Sequence, residues 1–86
     1  MTAQERLEAL GDTSAAVAAS LRKLGIKGTR GYADACPLAV YLGDGYHVGI
    51  RRYWRPSDEF SAALPEAALA FARAFDRGDY PDLENR

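Results

Sequence analysis

The sequence predicts a small α+β domain in which helices pack on one face of a two-stranded β-hairpin. On both sides of its centre, apolar residues recur every three or four positions, the spacing of amphipathic helices. Between Tyr46 and Arg55 the period changes to two, as in a strand. The 86 residues suit one domain, and no repeat or linker divides them. We therefore expect residues 1–86 to form a single domain, with residues 1–11 and 84–86 loosely held.

Two helices are predicted in the N-terminal part of the chain. Thr2 and Glu5 have the spacing of a capping box, so a short first helix should follow Thr2. Asp12 or Thr13 caps a second helix, and Gly25 takes the left-handed position that ends it. The apolar stripe of this second helix consists of Val17, Leu21 and Leu24.

Two further helices are predicted around the central run. Pro37 opens a helix of about two turns, because proline is pre-organised for the first helical position. Pro65 opens the longest helix, residues 65–77, and Gly78 ends it. Its buried stripe consists of Ala68, Phe71, Ala72 and Phe75. Beyond it, Tyr80 and Leu83 are expected to fold back onto the core.

The two strands are predicted at residues 46–55 and 59–63, joined by a turn at residues 56–58. Strand alternation would direct Tyr46, Val48, Ile50, Trp54, Phe60 and Ala62 inward. The outward set would be His47, Arg51, Tyr53 and Arg55, with Arg52 at the rim. For residues 57–64 a helix is the alternative, although Pro65 would then break it.

Charge is distributed unevenly along the chain, although the net charge is −1. Residues 1–21 carry three acids and one arginine (−2), and residues 22–55 carry seven bases and two acids (+5). Residues 56–86 carry seven acids and three arginines (−4). Such a basic centre is typical either of a binding face or of segments that neutralise one another on folding.

Composition argues against several classes of protein. No apolar run reaches membrane-spanning length and no basic leader precedes an apolar stretch, so we expect a cytoplasmic protein without membrane contacts. One cysteine and one histidine exclude an internal disulfide and a Cys/His zinc site. We expect neither a metal nor a cofactor.

Two stretches resemble small proteins of actinobacteria and their phages. The first, from Cys36 to Leu42, has the pattern C-P-L-A-x-Y-L, and the second, from Phe71 to Leu83, has the pattern F-x-x-x-F-D-x-G-x-Y-P-x-L. Nine arginines against two lysines, with abundant alanine, fit a GC-rich source. That group has no assigned activity, so the resemblance supports the fold and implies no catalytic residue.

Cys36 is the first of three candidates for function. A thiol at a helix N-terminus can be activated by the helix dipole, and His47 could serve as its base. A lone cysteine at such a position is more often a small buried side chain. We therefore expect no enzyme, and a thiol-dependent enzyme ranks third among the functions considered.

The second candidate is a glycine loop with the GxxG shape by which KH domains hold a nucleic-acid backbone. Its candidate anion-binding residues are Lys27, Gly28, Arg30 and Gly31. The KH clamp needs a helix directly after the second glycine, whereas here the helix begins only at Pro37.

The third candidate is the outward strand face, where arginine alternates with aromatic residues. Its partner-binding residues would be His47, Arg51, Arg52, Tyr53 and Arg55. Such a face suits a protein partner, because arginine and aromatic residues dominate interface energies. Nucleic-acid binding by the same face together with the glycine loop is the alternative, and an ordinary solvated face is the simplest reading. The prediction is a non-enzymatic adaptor or regulator, monomeric or homodimeric.

Overall fold

A computed structural model describes residues 2–85 and confirms the α+β class. The helices are α1 (Ala3–Glu8), α2 (Ser14–Leu24), α3 (Pro37–Leu42) and α4 (Glu66–Asp76). The strands are β1 (His47–Val48), β2 (Arg52–Arg55) and β3 (Phe60–Ala63), with 3-10 turns at Pro56–Asp58 and Pro81–Leu83. The strands form one antiparallel sheet in the order β1-β2-β3. Between residues 2 and 85, no helix is long and apolar enough to cross a membrane.

Local capping signals begin and end the helices as predicted. Thr2 and Glu5 form both hydrogen bonds of the capping box at α1, and Thr13 caps α2. Gly25 has φ 72°, and its N–H and that of Ile26 donate to the carbonyls of Arg22 and Leu21, a Schellman ending. The same pair of bonds ends α4 after residue 76.

The core lies where α2 and α4 pack together and against one face of the sheet. The largest side chains buried there include Leu7, Val17, Leu21, Leu38, Tyr53, Phe71, Phe75 and Leu83. Tyr80 folds back as predicted, with its ring stacked 5.2 Å from that of Phe71 and its hydroxyl 2.8 Å from that of Ser14. Leu24 was predicted in the apolar stripe but is 58% exposed, because α2 ends there.

Both ends of the described chain are held by hydrogen bonds. The Arg6 guanidinium donates to the carbonyls of Tyr41 and Leu42, so α1 covers the C-terminal end of α3. Near the other end, Gly28 donates to Leu83 and accepts from Asn85, each at 2.8 Å. These hydrogen bonds join the residues around Glu84 to the loop at Gly28, while Met1 and Arg86, which were predicted to be loosely held, lie outside the described residues.

The predicted long first strand is divided into two strands by a tight turn. The Gly49 N–H donates to the Arg52 carbonyl at 2.8 Å, so Ile50 and Arg51 form a two-residue connection between β1 and β2. The sheet consequently has three strands instead of two. The second connection, at Pro56–Asp58, and the strand that follows it agree with the prediction, and no α-helix forms at residues 57–64.

This turn reverses the predicted orientation of the side chains of β2, whereas Phe60 and Ala62 of β3 lie on the inner face as predicted. Val48 is paired with Tyr53, and both are buried on the inner face of the sheet. Trp54 is paired with His47 on the opposite face. The inward assignments of Trp54 and Ile50 are wrong, since Ile50 is 48% exposed in the turn. The outward assignment of Tyr53 is wrong as well, since its side chain is fully buried.

Candidate functional site

The sheet face turned away from the helices is the candidate site, and we call it the outer sheet face. The strand register places five side chains on it: His47, Arg52, Trp54, Ser61 and Ala63. The last two and the arginine are exposed, and the two aromatic side chains are partly exposed. This face is therefore open to a partner, whereas the opposite face is buried in the core.

Trp54 is held in one orientation at the centre of this face. Its indole is stacked on the His47 imidazole, with ring centroids 5.6 Å apart and planes 11° from parallel. It also covers Gly49, the residue directly after β1, where a Cβ would lie 3.2 Å from the indole ring. An aromatic side chain packed over a cross-strand glycine is a known means of fixing strand position. A ring that is already ordered loses little conformational entropy when a partner covers it.

Cationic and apolar groups adjoin the indole. Arg52 lies on the same strand and donates from Nε to the Ser61 hydroxyl at 3.1 Å, which directs its guanidinium along the sheet surface. In the turn, Arg51 is exposed next to the exposed Ile50. The combination offers an aromatic surface, an aliphatic side chain and two positive charges within one hairpin.

The predicted partner-binding residues are divided among three places. His47 and Arg52 lie on the outer sheet face, and Arg51 lies in the turn beside it. Arg55 lies at the far end of the inner face, where its guanidinium covers the Tyr46 ring at 4.5 Å and pairs with Asp58 at 2.6 Å. Burial prevents Tyr53 from contacting a partner at the surface. The structure thus removes Tyr53 and Arg55 from the site and adds Trp54.

A cleft of about 590 Å³ adjoins the inner face between α1 and the sheet. Its aromatic side chains, Tyr46, Tyr53 and Phe60, have ring centroids 5.5 to 6.1 Å apart. The Tyr53 hydroxyl donates to Gln4 Oε1 at 2.8 Å, and Arg55 is engaged by Asp58. These polar groups already have partners, so the cleft is a weaker candidate than the outer sheet face.

The glycine loop has a structural explanation. The N–H groups of Gly28 and Thr29 donate to the carbonyls of Leu83 and Ala35, so neither is directed at an anion. Arg30 lies 3.6 Å from the half-buried Glu84 carboxylate. Consecutive free N–H groups are what an anion-binding loop requires. The described geometry offers none at these two residues.

Cys36 does not form the Cys-His pair considered from the sequence. Its side chain is buried, and its thiol donates to the Val48 carbonyl at 3.8 Å, while His47 lies on the outer sheet face. Burial raises the pKa of the Cys36 thiol, and Asp76 adds to the effect, whereas backbone N–H groups at the start of α3 oppose it. The neutral thiol is therefore favoured, which does not suit a nucleophile.

We expect Cys36 to react with iodoacetamide at about pH 7 at least tenfold more slowly in the folded protein than in the unfolded chain. Both burial and the raised pKa lower the rate. Mass spectrometry of timed samples, with and without urea, gives the two rates. Equal rates would show an accessible thiolate and would reopen the enzymatic interpretation.

Among residues 2–85, no three His, Cys, Asp or Glu side chains come together so that they could hold a metal ion. Comparison with known proteins gives no match to a family model, to a curated protein or to a solved structure. Within residues 2–85, the outer sheet face combines a stacked aromatic pair with the exposed Arg52, and it is therefore kept as the candidate site.

Proposed function

We propose that this protein is a non-enzymatic cytoplasmic interaction module that binds a protein partner through the outer sheet face. Trp54 is its central contact, and Arg51 and Arg52 supply the charged contacts. The observation that supports this most strongly is that the only tryptophan of the chain is ordered at the surface instead of in the core. Tryptophan and arginine are the residues that most often dominate protein interfaces.

The charges favour a protein partner over nucleic acid. Three of the seven bases of the basic centre form ion pairs on folding, namely Arg22–Asp82, Arg30–Glu84 and Arg55–Asp58. Among the ion pairs of residues 2–85, none involves Arg51 or Arg52. Two such arginines form a small cationic patch, whereas nucleic-acid binding generally uses many phosphate contacts. The partner surface that fits carries acidic side chains next to an apolar one.

We expect Trp54→Ala to abolish capture of the partner and leave the domain folded, because the ring is packed on the surface. The measurement is an affinity pull-down from a lysate of the source organism, treated with nuclease, followed by titration of the purified partner. Loss of a hot-spot tryptophan generally weakens binding by about 2 kcal/mol or more, roughly thirtyfold. In the wild type, the single tryptophan also reports binding directly through its fluorescence.

Leu24→Ala is the control, because Leu24 is an apolar side chain that is 58% exposed at the end of α2, among the helices that pack on the opposite face of the sheet. It should retain the partner, and circular dichroism should show both variants folded. Equal capture by the wild type and Trp54→Ala would show that the wrong surface was chosen. Capture that disappears with nuclease, together with steep salt dependence and loss in Arg51→Glu, would instead identify a nucleic-acid binder.

A further inference from the structure

The strand β3 forms one edge of the sheet and leaves backbone groups unpaired. The Leu64 N–H donates to the Arg51 carbonyl, so these two residues form a hydrogen-bonded pair. Such pairs alternate along an antiparallel ladder. In the register of β2 and β3, the N–H and C=O groups of Ser61 and Ala63 therefore point away from β2. Within residues 2–85, the backbone hydrogen bonds that leave the sheet include none from either residue.

The opposite edge of the sheet, at β1, is protected, whereas the edge at β3 is not. At β1, the Val48 N–H donates to the Ala33 carbonyl at 2.8 Å, so a loop covers that edge. Natural edge strands are otherwise protected by charged side chains, proline or a bulge. The segment Phe60-Ser61-Ala62-Ala63 has no charged residue and no proline, and its pairing with β2 is continuous.

We infer that β3 binds β3 of a second copy of this chain, in antiparallel orientation, with the two-fold axis at Ala62. This register pairs Ser61 with Ala63 of the second copy and Ala63 with Ser61 of the second copy. Each pair exchanges two hydrogen bonds, so both outward N–H and both outward C=O groups of each copy are satisfied. If the axis lay at Ser61 or at Ala63 instead, only that residue would face an outward-pointing residue of the second copy. The other outward-pointing residue of β3 would then have no hydrogen-bonding partner.

The side chains fit this two-fold arrangement. Ala62 would lie opposite Ala62 of the second copy at the two-fold axis. The Cα atoms of such a non-hydrogen-bonded pair are about 4.5 Å apart, and the small alanine side chains fit there without a clash. The same register places the partly buried Phe60 opposite the buried Leu64 of the second copy. No charged side chain faces a like charge across the new pair of strands. A second copy of the chain therefore satisfies this edge in both copies without any other partner.

The resulting six-stranded sheet would join two outer sheet faces into one surface. Trp54 is paired with Ser61 of its own chain, and Ser61 would be paired with Ala63 of the second copy, which is in turn paired with Arg52 of that copy. These four side chains would therefore form one row across the joined sheet. The dimer does not require the proposed partner, since it rests only on the outward backbone groups of β3. With only a short strand on each side, we expect dimer dissociation constants of about 1 to 100 μM.

Charge reversal at the two exposed positions tests both the dimer and its register. In Ser61→Glu/Ala63→Glu, each glutamate would lie opposite a glutamate of the second copy, so the dimer should be lost. In Ser61→Lys/Ala63→Glu, each lysine would lie opposite a glutamate, so the dimer should form again. Both positions are on the exposed face, and circular dichroism should show both variants folded. Sedimentation velocity between about 10 and 500 μM gives the mass of each protein.

A dimeric wild type, a monomeric double-glutamate variant and a dimeric lysine–glutamate variant are the expected results. A wild type that remains monomeric throughout this range overturns the inference and leaves the edge for a different chain. A double-glutamate variant that remains dimeric shows that copies associate through another surface. If the lysine–glutamate variant is as monomeric as the double-glutamate variant, the register is wrong. As an independent check, Ala63→Pro removes one outward N–H and should also be monomeric.

Discussion

Gly28→Ala is expected to destabilise the domain by about 3 kcal/mol or more, a large part of the total stability of a small domain. A Cβ at this position would lie 2.3 Å from the Pro37 nitrogen and 2.5 Å from the Cys36 carbonyl carbon. These are backbone atoms at the start of α3, so the clash can be relieved only by moving the helix. Urea unfolding, followed by circular dichroism, measures the loss.

Gly31→Ala provides the control within the same loop. Gly31 has φ 85°, but no atom lies within 4 Å of the position that its Cβ would take. The substitution should therefore cost only the strain of a left-handed residue, about 1 to 2 kcal/mol. Equal losses for the two variants would show that α3 does not press on Gly28.

Features that depend on a few neighbouring residues were predictable from the sequence. Thr2 and Glu5, Gly25 and Pro37 act within one or two helical turns, and the helices they delimit agree with the prediction within one or two residues. The buried stripe of α4 was predictable for the same reason, since 3.6-residue periodicity survives whatever the helix packs on.

The turn between β1 and β2 was missed because it lacks the usual sequence signal. Two-residue hairpin turns prefer positive φ at their central residues and hence Asn-Gly or Asp-Gly. Here the central residues are Ile50 and Arg51, and neither has positive φ. The β-branched Ile50 continued the apolar alternation through the turn. Gly49 was the one available signal, and it indicates where the alternation had to be interrupted.

The error changed the membership of the candidate site without changing its chemistry. Because two residues form the turn, the side chains of β2 lie on the face opposite to the predicted one, so Tyr53 and Trp54 exchange places. A basic and aromatic outer face was predicted and is present, with the indole in place of the phenol. The β-bridge between Gly28 and Glu84 was unpredictable for another reason, since it joins residues that are far apart in the sequence.

Tyr53→Ala should destabilise the domain by about 3 to 5 kcal/mol, as for other large buried aromatic side chains. The Tyr53 side chain is fully buried, its ring lies 5.5 Å from the Phe60 ring, and its hydroxyl donates a hydrogen bond to Gln4 Oε1. Urea unfolding gives the free energy of unfolding. Tyr32→Ala, at an exposed tyrosine, is the matched control and should change it by less than about 0.5 kcal/mol.

Tyr53→Phe separates the hydroxyl from the ring and adds a pH dependence. The loss of the hydrogen bond to Gln4 should cost about 1 kcal/mol near neutral pH. Burial raises the pKa of the Tyr53 phenol above its ordinary value of 10.0, and the charges of Tyr46 and Glu8 add to this effect. The folded state therefore holds this proton more tightly than the unfolded state. The contribution is fully present below about pH 10 and is lost as the pH rises through the raised pKa.

The wild type should accordingly lose stability above pH 10 more steeply than Tyr53→Phe, which no longer has this proton to release. Unfolding curves at a series of alkaline pH values would measure the difference. The same variants decide the orientation of β2, on which the candidate site depends. If Tyr53→Ala costs no more than Tyr32→Ala, the phenol lies in solvent and Trp54 belongs to the core. A large loss fixes the phenol inside, and the register with His47 then requires the indole to lie on the outer sheet face.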